Sequence, residues 1–343
     1  MSRRSLTLAI AGLATVVAIA VAALLPVPYV ILGPGPTLNT LGVSSGQPLI
    51  KIAGHQTYST TGNLNLVTVS YQGGPGSNMN IFQALRGWLN PSQAVVPETE
   101  LFPAGQSAQQ TQAQDTEQMT GSQQTATAAA LTQLHIPYQT VVSVISTVPG
   151  YPASKSLKAG DVIEAVDGKA VDGQTSLSSM ITARPVGTVL TLTVLRGGKT
   201  LMIPVASKAS GGAAVIGVDV QQQYKFPFTV SISVGDIGGP SAGMMFALGI
   251  IDKLTPLNLT GGKFIAGTGE ITAAGQVQPI GGIQQKMVGA RSAGATIFLT
   301  PAANCSDTTG AVPAGLRLVK VSTLSQAVSD LEAIKAGKSV PSC

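Results

Sequence analysis

The chain has 343 residues, of which 44% are hydrophobic and 10% charged. This length leaves room for two or three domains, and the composition excludes a wholly disordered protein. The net charge is +5, but the basic residues are scattered and form no block that alternates with aromatic residues, so we predict no nucleic-acid binding. Only two histidines, His55 and His135, are present, and the two cysteines form no CxxC pair. The spacing argues against a zinc site, and we predict neither a metal nor a cofactor.

An uncharged apolar segment runs from Leu6 to Leu25, close to the N-terminus. A helix of this length spans roughly 30 Å, the thickness of the hydrocarbon core of a bilayer. Arg3 and Arg4 precede the segment, and positive flanking charge tends to stay in the cytoplasm. We therefore predict a single-pass anchor in the cytoplasmic membrane, with the N-terminus inside and the main body extracytoplasmic. The alternative is a cleaved signal peptide, because the segment contains an A-x-A pattern ending at Ala20.

The two cysteines, Cys305 and Cys343, suit an oxidising compartment. A disulfide between them would join the C-terminal tail to the last domain. On a chain-entropy argument, a loop of this length contributes roughly 4 kcal/mol to stability. Two unpaired thiols are the alternative, because the sequence does not show that the sulfur atoms meet.

The region 34–131 is expected to be rich in strands and to contain a polar loop. Glycine and proline alternate at 33–36 and predict a turn, and apolar residues between Leu64 and Tyr71 indicate an extended segment. Residues 104–127 are rich in Gln, Ser, Thr and Ala. This composition predicts a mobile polar loop or a weak helix, on which Asp115 and Glu117 are solvated charges.

A second unit is expected over 132–212. Its segments 157–163 (LKAGDVI), 166–169 (VDGK) and 194–199 (VLRGGK) resemble a PDZ domain of the type attached to bacterial proteases. Such domains bind an extended peptide by adding it to the edge of a sheet. The usual GLGF loop that binds a terminal carboxylate is absent, so the resemblance assigns no groove residues. The alternative is a small sheet that only spaces the domains on either side of it.

One short pattern superficially suggests nucleotide binding. Gly198, Lys199 and Thr200 look like the end of a phosphate-binding loop, but Thr193 stands where that loop needs glycine. We interpret the segment as a hairpin turn and predict that the chain neither binds nucleotide nor hydrolyses ATP.

A glycine-rich turn at 238–243 (GGPSAG) joins an alternating apolar strand to a helix-like apolar stretch. It places Ser241 where a helix starts, and free N–H groups at a helix start can stabilise developing negative charge. This arrangement suits a nucleophile at Ser241 beside an oxyanion hole in the backbone of Gly239, Pro240, Ser241 and Ala242. Taken alone, the same turn also suits phosphate binding or a simple change of chain direction.

A second motif, 279–286 (PIGGIQQK), ends at Lys286. Ile283, Met287 and Ala290 recur at helical spacing and predict an inward face beside this lysine. The ordinary interpretation is a solvated surface lysine. If the amine is instead held out of water, its pKa falls, and a neutral amine can take a proton from a serine hydroxyl. Such a Ser-Lys pair needs no histidine.

Together the two motifs resemble the proteolytic domain of Lon proteases over about 225–322. On this resemblance Ser241 is the nucleophile and Lys286 the general base. Thr268, in the segment TGEIT at 268–272, matches a family threonine whose hydroxyl orients the lysine, although an ordinary strand threonine fits equally well. Gly239 replaces a common family aspartate. We interpret the nearby Asp236 as solvated or turn-capping and Glu270 as structural.

With its anchor and PDZ-like insert, the whole chain is similar to the membrane-anchored, PDZ-containing Lon-like proteases of bacteria. The resemblance implies an α+β fold, an ATP-independent serine endopeptidase and a hexameric ring. We expect an anchor over 1–33, the strand-rich region over 34–131, the PDZ-like domain over 132–212 and the Ser-Lys protease domain over 213–343. Substrates would be unfolded or flexible proteins, which the PDZ-like domain would offer to the Ser-Lys pair. The alternative is an inactive membrane-tethered adaptor that binds peptides through the PDZ-like domain.

Overall fold

The computed structural model describes residues 3–44, 46–77 and 79–343. The α-helices in these residues are α1 (Arg3–Leu24), α2 (Ile81–Trp88), α3 (Glu98–Leu101), α4 (Ala108–Gln133), α5 (Gln174–Thr182), α6 (Gly243–Leu254), α7 (Ile283–Ser292) and α8 (Leu324–Lys335). Short 3-10 helices cover Pro152–Lys155 and Ala302–Thr308. The fold is therefore a mixture of helices and strands, as the α+β class requires.

The strands are mostly short and are numbered in chain order. They are β1 (Tyr29–Asn39), β2 (Val43–Ser44), β3 (Gln47–Pro48), β4 (Ile50–Ala53), β5 (Asn63–Gly73), β6 (Ala94–Pro97), β7 (Gln139–Thr147), β8 (Val162–Val166), β9 (Lys169–Ala170), β10 (Val189–Arg196), β11 (Lys199–Ala206), β12 (Lys208–Ser210), β13 (Ala213–Val215), β14 (Val218–Lys225), β15 (Thr229–Ile232), β16 (Phe264–Gly267), β17 (Glu270–Ile271), β18 (Val277–Gln278), β19 (Ile297–Pro301) and β20 (Arg317–Val321).

The chain forms two compact units. The smaller unit is Ile136–Pro227, and the larger one combines the chain before Ile136 with the chain after Pro227. This division differs from the predicted one, in which 34–131 and 213–343 were separate regions. The reason is strand pairing: β5, from the first half of the chain, pairs in parallel with β16, from the second half. The smaller unit is thus an insertion between α4 and β15.

The larger unit is built on a six-stranded sheet in the order β20-β19-β16-β5-β1-β6. The strands from β20 to β5 are parallel to their neighbours, and β1 is antiparallel to β5 and β6. Ile283, Met287 and Ala290 of α7 are buried in one cluster with Val67 and Phe298 of the sheet. This confirms the predicted inward face of α7 and fixes the helix against the strands.

The predicted turn at 33–36 is wrong, because these residues lie inside β1. The strand stays paired with β5 on both sides, and its register shifts between Pro34 and Thr37. A side chain at Gly35 would collide with Thr68, since a Cβ there would lie 2.4 Å from the Thr68 hydroxyl oxygen. The glycine and prolines therefore form a bulge at which two strands approach closely.

Of the two alternatives predicted for 104–127, a polar loop or a weak helix, the structure has a helix: α4 covers most of this segment. Ser107 starts it with a capping box: its hydroxyl accepts the Gln110 N–H, and the Gln110 side chain accepts the Ser107 N–H. Small residues such as Ala126 and Ala129 are buried and let α4 pack against α6. Because these side chains are small and polar or weakly apolar, the helix carries no strong hydrophobic stripe. Composition alone therefore did not distinguish a loop from a weak helix.

The smaller unit is an antiparallel sheet in the order β11-β10-β8-β7-β14, with β9 paired to β8. Tight turns at Asp167 and Gly168 and at Gly197 and Gly198 join its hairpins, as predicted, and all four residues have positive φ. The side chain of Asp161 is buried and accepts two hydrogen bonds from Arg196, which ties β10 to the turn before β8.

The chain ends carry two further features. The helical segment Arg4–Leu24 has a mean hydropathy of 2.4 and none of it is buried, so it is long and apolar enough to cross a membrane. A signal sequence can be equally long and apolar. At the other end, a disulfide joins Cys305 to Cys343.

Candidate active site

Ser241 lies in the turn directly before α6, which begins at Gly243. The carbonyl oxygen of Ser241 accepts hydrogen bonds from the Gly269 N–H, at 2.8 Å, and from the Thr268 hydroxyl, at 2.9 Å. On the other side, the Ser122 hydroxyl of α4 donates to the carbonyl of Pro240 at 2.9 Å. The backbone around the serine is thus held by both halves of the chain.

Lys286 lies on the buried face of α7 and is only 3% exposed. Its Nζ is 2.7 Å from the Ser241 Oγ and 3.0 Å from the Thr268 Oγ1. No ion pair involving Lys286 occurs among the described residues. Burial in this apolar setting disfavours the ammonium form and lowers the pKa of Lys286 from 10.5 to about 7.

Thr268 follows β16 and is fully buried. Its hydroxyl hydrogen is directed to the Ser241 carbonyl, so its oxygen is left to accept from the Lys286 amine. One side chain therefore contacts both the backbone of the serine and the head group of the lysine. The structure brings Ser241, Lys286 and Thr268 together, although they come from three separate segments.

The backbone donors near Ser241 differ from the predicted set of four. The Gly239 N–H is used by the carbonyl oxygen of Asp115, at 3.1 Å, and proline has no N–H to offer at position 240. Within the described residues, the N–H groups of Ser241 and Ala242 have no hydrogen-bond acceptor. Only these two of the four predicted residues can donate to an oxyanion.

A cleft of about 360 Å³ opens beside the serine and lysine. Part of its wall comes from β5 and α4, which precede the inserted unit. The residues that line it are Pro36, Val67, Thr68, Val69, Tyr71, Gln112, Asp115, Met119, Asp236, Ile237, Gly238, Ser241, Ala242, Gly281 and Lys286. The site is therefore completed by the region for which the sequence predicted only strands and a polar loop.

Asp115 is the main residue that sequence reasoning misplaced. It was expected to be a solvated charge, but it is half-buried in the cleft wall, and burial raises the pKa of its carboxyl group. The residues around Asp115 in the sequence are polar and do not predict that it is partly buried. Its burial results from the packing of α4 against α6. Asp236 also borders the cleft, whereas Glu270 is exposed in β17.

Comparison with protein families matches residues 206–333 to the Lon protease (S16) C-terminal proteolytic domain and residues 112–206 to the PDZ domain. The family ranges and the compact units have different borders. Residues 112–133 belong to α4 of the larger unit, and β14, beyond the PDZ range, pairs with β7 in the smaller unit.

Curated relatives match short parts of the chain. Lon protease 2 of Herpetosiphon aurantiacus is 37% identical over 103 residues, 29% of this chain and 12% of that protein. Lon protease 1 of Sorangium cellulosum is 34% identical over 128 residues, 36% of this chain and 16% of that protein. The chain thus spans under a fifth of the length of these relatives.

Among solved structures, the PDZ domain of an SdrC-like protein from Listeria monocytogenes is 27% identical, with a TM-score of 0.22, and covers 23% of this chain and 85% of that one. The chain contains a Lon-type (S16) C-terminal proteolytic domain and a PDZ domain.

Proposed function

We propose that this protein is an ATP-independent serine endopeptidase with a Ser241–Lys286 dyad, anchored by α1 and acting on flexible or unfolded proteins on the extracytoplasmic side of a membrane. The observation that carries the proposal is the 2.7 Å contact between the buried Lys286 Nζ and the Ser241 Oγ. A disulfide between Cys305 and Cys343 agrees with an extracytoplasmic location.

The proposed reaction begins when the neutral Lys286 amine takes the proton of the Ser241 hydroxyl as Oγ attacks the scissile carbonyl carbon. The N–H groups of Ser241 and Ala242 would stabilise the resulting oxyanion. The Lys286 ammonium then returns its proton to the leaving amine, which gives an acyl-enzyme. Water, deprotonated by the same lysine, releases the acid and restores the Ser241 hydroxyl.

The amine is suited to both proton transfers because its pKa is lowered to about 7 by burial. A base whose pKa lies near the working pH has a large neutral fraction and is still basic enough to accept a proton. Thr268 would act as a positioning residue, because its oxygen accepts from the lysine while its hydrogen holds the Ser241 carbonyl.

The function is tested by incubating the detergent-solubilised full chain with casein in the absence of nucleotide. Fragments are expected, and adding ATP should not change their rate of formation. A parallel preparation of Ser241→Ala controls for contaminating proteases. Binding of casein without fragments would instead support the inactive adaptor.

The hexameric ring implied by the resemblance is a further prediction, which light scattering of the same preparation would check.

Substitutions of Thr268 test whether this residue positions Lys286 or is an ordinary strand threonine. Thr268→Val removes the acceptor for Lys286 and leaves buried groups unpaired, at a cost of roughly 1–3 kcal/mol. We expect kcat to fall by about 10- to 100-fold and the apparent pKa of kcat/KM to fall further, because the ammonium loses an acceptor. Thr268→Ser should keep most of the activity. Equal effects of both substitutions, with an unchanged pH profile, would contradict the role.

The smaller unit offers a groove for substrate docking. A cavity of about 350 Å³ lies between α5 and the segment Ala214–Val220, which includes the start of β14. Since β14 is an edge strand of its sheet, an extended peptide could pair with its free side. This supports, as part of the proposal, recruitment of substrate segments by the PDZ domain.

Filling this groove should weaken substrate capture without changing the chemical step. Ser178 of α5 is exposed and lines the groove, whereas the adjacent exposed Ser179 does not. We expect Ser178→Trp to raise KM for casein by roughly tenfold, which corresponds to about 1.4 kcal/mol, and to leave kcat unchanged. Ser179→Trp is the matched control. An equal KM for the two variants would argue that the groove takes no part in docking.

A further inference from the structure

Helix α2 has one buried side and one exposed apolar side. Ala84 and Gly87 are buried, and a Cβ at Gly87 would lie 3.1 Å from the Ile31 side chain, so the helix packs closely on β1. At the opposite side a set of large apolar side chains is open to solvent: Phe82 is 45% exposed, Leu85 44%, Trp88 77% and Leu89 85%.

The four side chains form a continuous surface, which we call the α2 face. At about 100° per residue they cover an arc of about 120°, flanked by the exposed Arg86. Contiguous apolar surface of this kind is rare on a soluble protein unless something covers it. The arrangement is that of a helix lying at a boundary between an apolar and an aqueous phase.

The start of α2 is bound to the end of α1. The side chain of Asn80 caps α2 and also donates from Nδ2 to the carbonyl of Ala23, at 3.0 Å. Next to this bond, the Val27 N–H donates to the Met79 carbonyl at 2.8 Å. The α2 face is therefore held beside the point where α1 would leave a bilayer.

We infer that the α2 face lies in the interfacial layer of the membrane, among lipid headgroups and the upper parts of the acyl chains. This rests on the proposed anchoring by α1. Tryptophan prefers this layer because its ring is apolar and its indole N–H needs a polar partner, and Arg86 is available for lipid phosphates. The helix would fasten the larger unit to the membrane surface at a second point.

Trp88 is the only tryptophan in the chain and so reports on the α2 face directly. The full chain is reconstituted into vesicles of phosphatidylcholine and phosphatidylglycerol, with and without bromine on the upper acyl chains. Bromolipids are expected to quench Trp88 strongly, and aqueous acrylamide to quench it weakly. Efficient acrylamide quenching without bromolipid quenching would overturn the inference.

A triple variant with Phe82→Ser, Leu85→Ser and Leu89→Ser keeps the probe and removes the rest of the α2 face. Most of the bromolipid quenching should be lost in this variant. The matched control changes three exposed apolar residues of the smaller unit, with Val186→Ser, Val189→Ser and Met202→Ser, and should leave the quenching intact. Equal quenching in the two variants would contradict the assigned role of the face.

Flotation of the same vesicles separates this inference from the proposed anchor. A chain that floats with the lipid while Trp88 stays open to acrylamide keeps the anchor and overturns the α2 inference. A chain that does not float overturns both. A Trp88 shielded from acrylamide and from bromolipids alike would show that protein, such as a second copy of the chain, covers the face, and this too would overturn the inference.

Discussion

Replacing Lys286 with methionine is expected to lower kcat/KM for casein by roughly 10⁴-fold, the loss typical of removing one member of a nucleophile–base unit. Methionine has a similar length and suits the apolar setting of α7, but it cannot accept a proton. Since the serine hydroxyl and the lysine act in one step, Ser241→Ala should cause a similar loss, and the double variant should lose little more.

The pH dependence of the wild type tests the same step without a substitution. Below about pH 7 the Lys286 amine is protonated and cannot act as a base, because burial holds its pKa near that value. We expect kcat/KM to fall as the pH is lowered through about 7. Casein cleavage measured from about pH 5 to about pH 9 gives this profile.

Lys253→Met is the matched control for loss of a lysine. Lys253 lies in the last turn of α6, and burial also lowers its pKa, but it does not line the cleft. This variant should retain wild-type kcat/KM. Retained cleavage in both Ser241→Ala and Lys286→Met would disprove the proposed dyad.

The turn that carries Ser241 and the helix that carries Lys286 could be predicted from the sequence because each signal is local. The segment 238–243 specifies a turn at the start of a helix, and the helical spacing of Ile283, Met287 and Ala290 predicts the buried face that carries Lys286. Hydrophobic periodicity and the positions of glycines are short-range signals, so they can be recognised in a single sequence. They do not report the distance between the two motifs, which depends on the pairing of β16 with its neighbours.

The long-range part of the site could not be predicted in this way. The strand β5 joins the parallel sheet although the inserted unit lies between it and β16 along the chain. The helix α4 is stabilised by tertiary packing of small residues and not by an apolar stripe, and tertiary contacts override weak local preferences. Consequently Asp115, which borders the cleft, was interpreted as a solvated charge.

Burial of the Lys286 amine should also lower the free energy of unfolding. The cost of desolvating the amine can be compared with the contribution of its hydrogen bonds. A pKa lowered from 10.5 to about 7 corresponds to roughly 5 kcal/mol of preference for the neutral form. The contacts to Ser241 and Thr268 each contribute about 1 kcal/mol. Desolvation therefore exceeds the hydrogen bonding near neutral pH, and Lys286→Met is expected to raise the free energy of unfolding by about 3 kcal/mol.

The effect of Lys286→Met on the free energy of unfolding depends on pH. Between about pH 7 and pH 10.5 the unfolded chain binds more protons at this lysine than the folded chain, so wild-type stability should rise through this range. The advantage of Lys286→Met should be largest below about pH 7. It should be lost before the pH reaches 10.5, and above that pH, where both states hold a neutral amine, the wild type should be the more stable because it keeps its hydrogen bonds.

Urea unfolding of the larger unit, followed by pulse proteolysis at several pH values with the disulfide intact, measures this difference. The exposed Lys263 supplies the control, since Lys263→Met should change the free energy of unfolding by less than about 0.5 kcal/mol at every pH. If Lys286→Met destabilises the protein at neutral pH, or if its effect does not vary with pH, the amine is not desolvated as proposed. The general-base role would then lose its physical basis, because an ordinary lysine is protonated under these conditions.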